Sequence, residues 1–215
     1  MIKDRLTPEA YATLLDSISN ILLSNGIKAT SMDFIASSLH ISKRTLYEVF
    51  DSKSSMVSES LKALHQRMCH EHTQIFESSE NVMEAILLNF IKHRDFLSKT
   101  NVDFLRDIDY HFAEAKIHSE DSKQLFIDNF VAMLQKGVEQ GYFREDVNLH
   151  VQCRMMLIQM ESLKRMEEFF PPDITLLDVY DSVNISFLRG ICSLKGMEML
   201  DSLTSKLFDK NITDK

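Results

Sequence analysis

The chain has 215 residues, 44% of them hydrophobic, with five Gly, three Pro, no Trp and a formal net charge of −8. Three well-separated cysteines, Cys69, Cys153 and Cys192, do not suggest a disulfide framework. With no signal peptide and no apolar run near the roughly 18 residues of a membrane span, the expected setting is the reducing cytoplasm. Long stretches carry 3.6-residue periodicity and none alternates, so the chain reads as all-α.

The first helix is predicted over residues 8–24. Pro8 suits a first helical turn. Leu14, Ile18, Ile21 and Leu22 form its stripe, and Gly26 is placed to stop it. A short second helix follows, capped by Thr30 with Asp33 three residues on, the spacing of a capping box. Met32, Ile35, Ala36 and Leu39 face inward, and the small Ala36 lets the next helix approach closely. His40 falls in the turn. Ser42 then caps a third helix, its hydroxyl placed to accept from the Thr45 amide. Ile41 and Leu46 occupy the positions of a hydrophobic staple. Leu46, Val49 and Phe50 point inward. Arg44 and Glu48 lie opposite Leu46, flanked by Lys43, Thr45 and Tyr47.

Two short helices joined by a tight turn are the layout of a helix-turn-helix, whose second helix enters the DNA major groove. Arg44 suits guanine O6 and N7, while Lys43, Thr45 and Tyr47 suit base edges and phosphates. Asp51 or Ser52 caps a long fourth helix. Lys53 in its first turn opposes the helix dipole, a cost that a bound phosphate offsets. The same residues fit a plainer account: Arg44 and Glu48 form an i,i+4 surface pair, and Lys43 is solvated. Charge does not decide against DNA. Residues 1–53 hold six Lys/Arg and six Asp/Glu, so the whole excess of acid lies after residue 53. A neutral head binds random DNA weakly, because non-specific affinity follows the number of phosphates neutralised.

On Gly26-Ile27, Thr30, Ile35-Ala36, Ile41-Ser42-Lys43, Thr45-Leu46-Tyr47, Phe50 and Lys53, the segment resembles the N-terminal domain of the TetR family of bacterial transcriptional regulators. One departure stands out: His40 occupies the turn position where the family usually has Gly. The resemblance implies contacts to double-stranded DNA from Thr30, Ser31, Ser42, Lys43, Arg44, Thr45, Tyr47 and Lys53. It further implies a homodimer on a palindromic operator, with a small-molecule effector bound in the C-terminal part releasing the DNA.

The remaining chain divides into helices near 52–77, 80–99, 101–117, 120–140, 146–170, 174–194 and 196–208. Residues 141–146 separate two of these, Pro171-Pro172 break the chain again, and Gly196 marks the last break. The two helices flanking the proline pair suit an antiparallel hairpin. The second carries more apolar surface than one face needs, which places it in the core or against a partner. Read with the resemblance, Val179, Val183, Phe187 and Ile191 are expected at a dimer interface. Phe90, Phe104, Tyr110, Phe112, Met155, Met156 and Met160 are candidates for an effector pocket, Met being adaptable to apolar ligands. Helical stripes of Met and Phe equally describe plain core.

His65, Cys69 and His72 share one face of the fourth helix, but a single helix is a poor metal cage. His93 with Asp95, and Asp107, Asp109 and His111, are chance-level acid–base pairs. No nucleophile elbow, phosphate loop or zinc-protease motif occurs, so neither enzyme activity, a metal nor a cofactor is expected. The expectation is an all-α chain with a DNA-binding domain over 1–53 and an effector-binding and dimerisation domain over 54–215. It acts as a ligand-released repressor. Its rivals are a protein of the same fold acting through protein contacts, and a small helical enzyme.

Overall fold

A computed structural model describes residues 6–114 and 120–213, with the side chains of 109, 110, 112–114, 120–123 and 205–213 outside that description. The elements are α1 (Pro8–Asn25), α2 (Met32–Ser38), α3 (Lys43–Val49), α4 (Lys53–Ser78), α5 (Val82–Ser98), α6 (Val102–Glu114), α7 (Glu120–Glu139), α8 (Leu149–Glu161), a 3-10 turn (Ser162–Arg165), α9 (Met166–Phe169), α10 (Leu176–Ile191) and α11 (Leu194–Thr213). No strand occurs among the described residues. Two compact units result, one of residues 1–71 and 99–122, the other of 72–98 and 123–215.

The first unit is built on buried residues from every one of its helices. Ile18 and Leu22 of α1, Ile35 and Ala36 of α2, Leu46 and Val49 of α3, Met56 and Leu61 of α4, and Phe104 of α6 all lie in its interior. The stripes read from the sequence for α2 and α3 are the buried faces. Ser19 is buried too, and its hydroxyl donates to the carbonyls of Leu15 (2.8 Å) and Ser60 (3.0 Å), which satisfies a polar group that would otherwise be costly inside.

The second unit has its own core, assembled from α5, α7, α8, α10 and α11 around Met83, Ile86, Leu134, Phe143, Leu188 and Ile191. Phe130 and Phe187 lie with ring centroids 5.9 Å apart. Helix α7 ends with Gly141 at φ 77°. The Tyr142 amide returns to the Gly137 carbonyl (2.8 Å) and the Gly141 amide to that of Val138 (2.8 Å), a Schellman stop.

Several boundaries differ from the sequence reading. The helix expected over 146–170 starts later and breaks. Asp146 is held by Arg144 through two bonds of 2.9 and 2.6 Å, so the cap falls to Asn148, whose side chain accepts from the Val151 amide at 3.1 Å. At the other end Ser162 donates back to the Gln159 carbonyl (2.6 Å), a bond that competes with the helical ladder. There α8 gives way to the 3-10 turn and the single-turn α9. Gly196 is no break: it lies within α11, and the chain turns instead at Cys192 and Ser193. Helix α10 begins after Thr175, which forms a reciprocal capping box with Asp178.

Candidate nucleic-acid interface

Helix α2, the turn and α3 form one small assembly inside the first unit. The cap of α2 is Ser31, whose hydroxyl accepts from the Phe34 amide at 3.1 Å. Thr30, expected as cap and DNA contact, is turned inward instead. It is 1% exposed and its hydroxyl donates to the Gly26 carbonyl at 2.5 Å. The extended backbone at Ser31 sets the cap there, one residue later than the spacing suggested.

The turn closes as a Schellman motif. The Ile41 amide bonds the Ala36 carbonyl (3.0 Å) and the His40 amide that of Ser37 (3.1 Å). His40 takes the left-handed conformation, φ 55°. That position favours Gly, and His is among the side chains that tolerate it. The departure from Gly therefore leaves the turn geometry intact. Ser42 caps α3 as expected, accepting from the Thr45 amide at 3.0 Å. Its hydroxyl also lies 2.7 Å from that of Thr45.

Leu46, Val49 and Phe50 are buried, so α3 has one face fixed to the unit and the other turned to solvent. On the solvent face stand Ser42, Lys43, Arg44 and Tyr47, with Thr45 half-buried at the edge. Lys43 contacts Asp33 at 2.7 Å, and Arg44 contacts Glu48 at 2.9 Å. The hydrogen bond and charge of Asp33 raise the Lys43 pKa, so the amine stays cationic. Both pairs are exposed, and exposed pairs contribute little. Each cation can therefore exchange its carboxylate for a base edge or phosphate at small cost.

Ser52 caps α4 by accepting from the Ser55 amide (3.1 Å). Lys53, in the first turn, donates to the Lys28 carbonyl at 3.4 Å. Sequence reasoning passed over Phe34, which is 47% exposed on α2. Its position off the Met32–Ile35–Ala36 stripe was the available signal.

The described effector candidates divide between the two units: Phe90, Met156 and Met160 share the core of the second. Phe104 is interior to the first unit. Met156 is core of the second, Met160 packs against that core, and Met155 is exposed. The side chains of Tyr110 and Phe112 lie outside the described residues. Phe90 lines a cavity of about 230 Å³. Its other walls are Leu87, Ile91 and Ile185, with Arg94, Asp181, Asn184 and Thr204 as polar groups. Arg94 Nε donates to both oxygens of Asp181 at 2.9 Å. Of its lining, sequence reasoning named Phe90; the walls are contributed by three helices.

Of the residues expected at a dimer interface, Val179, Phe187 and Ile191 are already buried within the chain, and Val183 packs against the same core. Helix α10 packs against α8 and α5 within the chain, with Leu176, Leu177, Val183 and Ile185 left half-buried. His65 and Cys69 contact each other (3.6 Å). No group of three metal-ligating side chains occurs among the described residues.

A helix-turn-helix with an exposed polar face on α3, in a chain whose described residues form helices and no strand, defines the class: a DNA-binding transcriptional regulator. Residues 14–59 match the model of the bacterial regulatory proteins, tetR family. The HTH-type transcriptional repressor KstR2 of Rhodococcus jostii (strain RHA1) is 27% identical over 148 residues, 66% of this chain and 72% of that protein. Among solved structures, the ketosteroid transcriptional regulator KstR2 of Mycobacterium tuberculosis superposes with a TM-score of 0.59 at 22% identity, covering 87% of this chain and 97% of that one. The TetR family transcriptional regulator PfmR from Thermus thermophilus gives a TM-score of 0.55 at 26% identity, over 82% and 97%. The chain is thus TetR-like: residues 14–59 match that family's regulatory proteins, and these relatives are repressors and regulators of that kind.

Proposed function

We propose that this protein is a homodimeric repressor that binds a palindromic operator and is released from it by a small molecule. The observation that carries the reading is the two-sided build of α3: an inner face buried on Leu46 and Val49, an outer face of Lys43, Arg44 and Tyr47. Arg44 reads a base edge; Lys43, Thr45 and Tyr47 share base and phosphate contacts; Ser31, Ser42 and Lys53 hold the backbone. Regulators of this class work beside the chromosome, in the cytoplasm, and no helix among the described residues is long and apolar enough to cross a membrane.

The dimer contact falls to α8. Val151, Met155 and Ile158 are 47%, 50% and 70% exposed and recur at i, i+4 and i+7, one stripe along the helix. An apolar stripe left in water is a candidate for association. The effector enters the space lined by Phe90, Arg94 and Tyr180, where apolar walls meet a few polar groups, the usual make-up of a ligand site. A ligand shifts the equilibrium by no more than its differential affinity for the bound and released states.

Selection from a random duplex library at near-physiological salt tests the reading. An enriched inverted repeat is the expected outcome, its half-site spacing reporting the separation of two heads. Folded, dimeric protein that enriches no sequence and binds without salt dependence would transfer the lead to an interaction protein of this fold.

A further inference from the structure

We propose that Asp107, on α6, is a positioning residue for DNA binding: its buried carboxylate pins the loop between α1 and α2 and, through that loop, Lys53. The inference rests on the DNA-binding reading. Asp107 is 5% exposed. One of its oxygens lies 2.6 Å from Lys28 Nζ, and the other accepts the Lys28 backbone N–H at 3.0 Å. A buried carboxylate is costly unless its oxygens are met by donors, so the loop is held where both bonds form. Two neighbours tighten the same junction. The Asn101 amide donates to the Leu23 carbonyl at 2.8 Å. Gly26 runs so close to α6 that an added Cβ would stand 3.3 Å from Asp103 Cβ.

Lys28 carries the constraint onward. Its amide is held by Asp107, and its carbonyl accepts from Lys53 Nζ. Lys53 thereby has its ammonium located in the first turn of α4, where a phosphate is expected. Ser31 caps α2 three residues further along the same loop. The Lys28 side chain is 79% exposed, so it reaches Asp107 from the solvent side and leaves the phosphate position to Lys53. Asp107 touches no DNA in this scheme and acts through Lys28.

The test compares wild type, Asp107→Asn, Asp107→Ala, Lys53→Ala and the Asp107→Ala/Lys53→Ala double variant on the duplex enriched by selection, across a range of salt. Circular dichroism sets the folded concentration of each. Loss of charge-assisted bonds at Asp107→Ala should weaken binding about tenfold and lower the salt slope by about one unit, as Lys53→Ala does. In the double variant the losses should not multiply, and the slope should fall no further. Asp107→Asn keeps an acceptor for the Lys28 amide and should lose less. Wild-type affinity and slope in Asp107→Ala would overturn the pin. So would losses that multiply in the double variant, or a deficit that vanishes once the folded fraction is counted. A wild type that binds no duplex would remove the DNA-binding reading, and the pin with it.

Discussion

Arg44 is 89% exposed at its side chain and pairs with Glu48. Its truncation should therefore leave the fold unchanged and act on DNA alone. Arg44→Ala should weaken operator binding by about 1–3 kcal/mol and relax preference at one base position. A selection profile identical to wild type would take base reading away from Arg44. His93 makes a different residue-scale prediction. Its ring centroid lies 5.3 Å from that of Tyr180 and 5.9 Å from that of Phe96. Burial, with a smaller contribution from His72, lowers its pKa to about 4. A free histidine titrates near 6.5, so between the two values the unfolded chain binds more protons than the folded one. Stability should then fall as pH drops from about 6.5 towards 4 and level off below, a contribution of roughly 1–3 kcal/mol. Urea unfolding of wild type and His93→Phe across that range isolates it. An unchanged acid limb in the variant would assign the loss to other groups.

Elements were legible where the signal is local. Pro8, the Ser42 cap and the Met32–Ile35–Ala36 stripe each report on residues within a turn of themselves, and α1, α2 and α3 begin and end within one or two residues of expectation. The misreadings came from side chains with competing partners. The helix expected from residue 146 starts later because Arg144 holds Asp146 and the Asn148 side chain supplies the cap. Gly196 reads as punctuation in one dimension. In the fold it is a contact: a Cβ there would meet the Tyr142 carbonyl oxygen at 2.0 Å and Cys192 Sγ at 3.2 Å. The adjoining bonds, Ser193 amide to Tyr142 carbonyl and Arg144 amide to Ile191 carbonyl, both 2.9 Å, leave the backbone little freedom to withdraw. Gly196→Ala should therefore destabilise the second unit by roughly 1–3 kcal/mol, although alanine is the better helix former. Thermal unfolding that shows a stabilised variant would mean that α11 slides away from Tyr142 freely.

At the scale of the whole molecule, much of the apolar surface of α10 is covered within the chain, whereas α8 leaves an apolar stripe exposed. Helix α10 is the more hydrophobic, and its Phe187 and Ile191 are core. Helix α8 keeps Val151, Met155 and Ile158 in water. Ile158→Glu should accordingly yield a folded monomer in sedimentation equilibrium, with operator affinity much reduced because paired half-site binding is lost. A variant that stays dimeric would move the interface off α8.

The sequence alone determined the helical class, the helix-turn-helix and the polarity of α3, because periodicity, caps and turn residues act over three or four positions. It also carried the family likeness on residues 26–53. Tertiary structure decided which apolar surfaces were left over, where a cavity opens, and that Asp107 meets Lys28 across 79 positions of chain. Those depend on which helices compete for the same contact. A one-dimensional pattern ranks faces by hydrophobicity, but it cannot say which of them another helix has already covered.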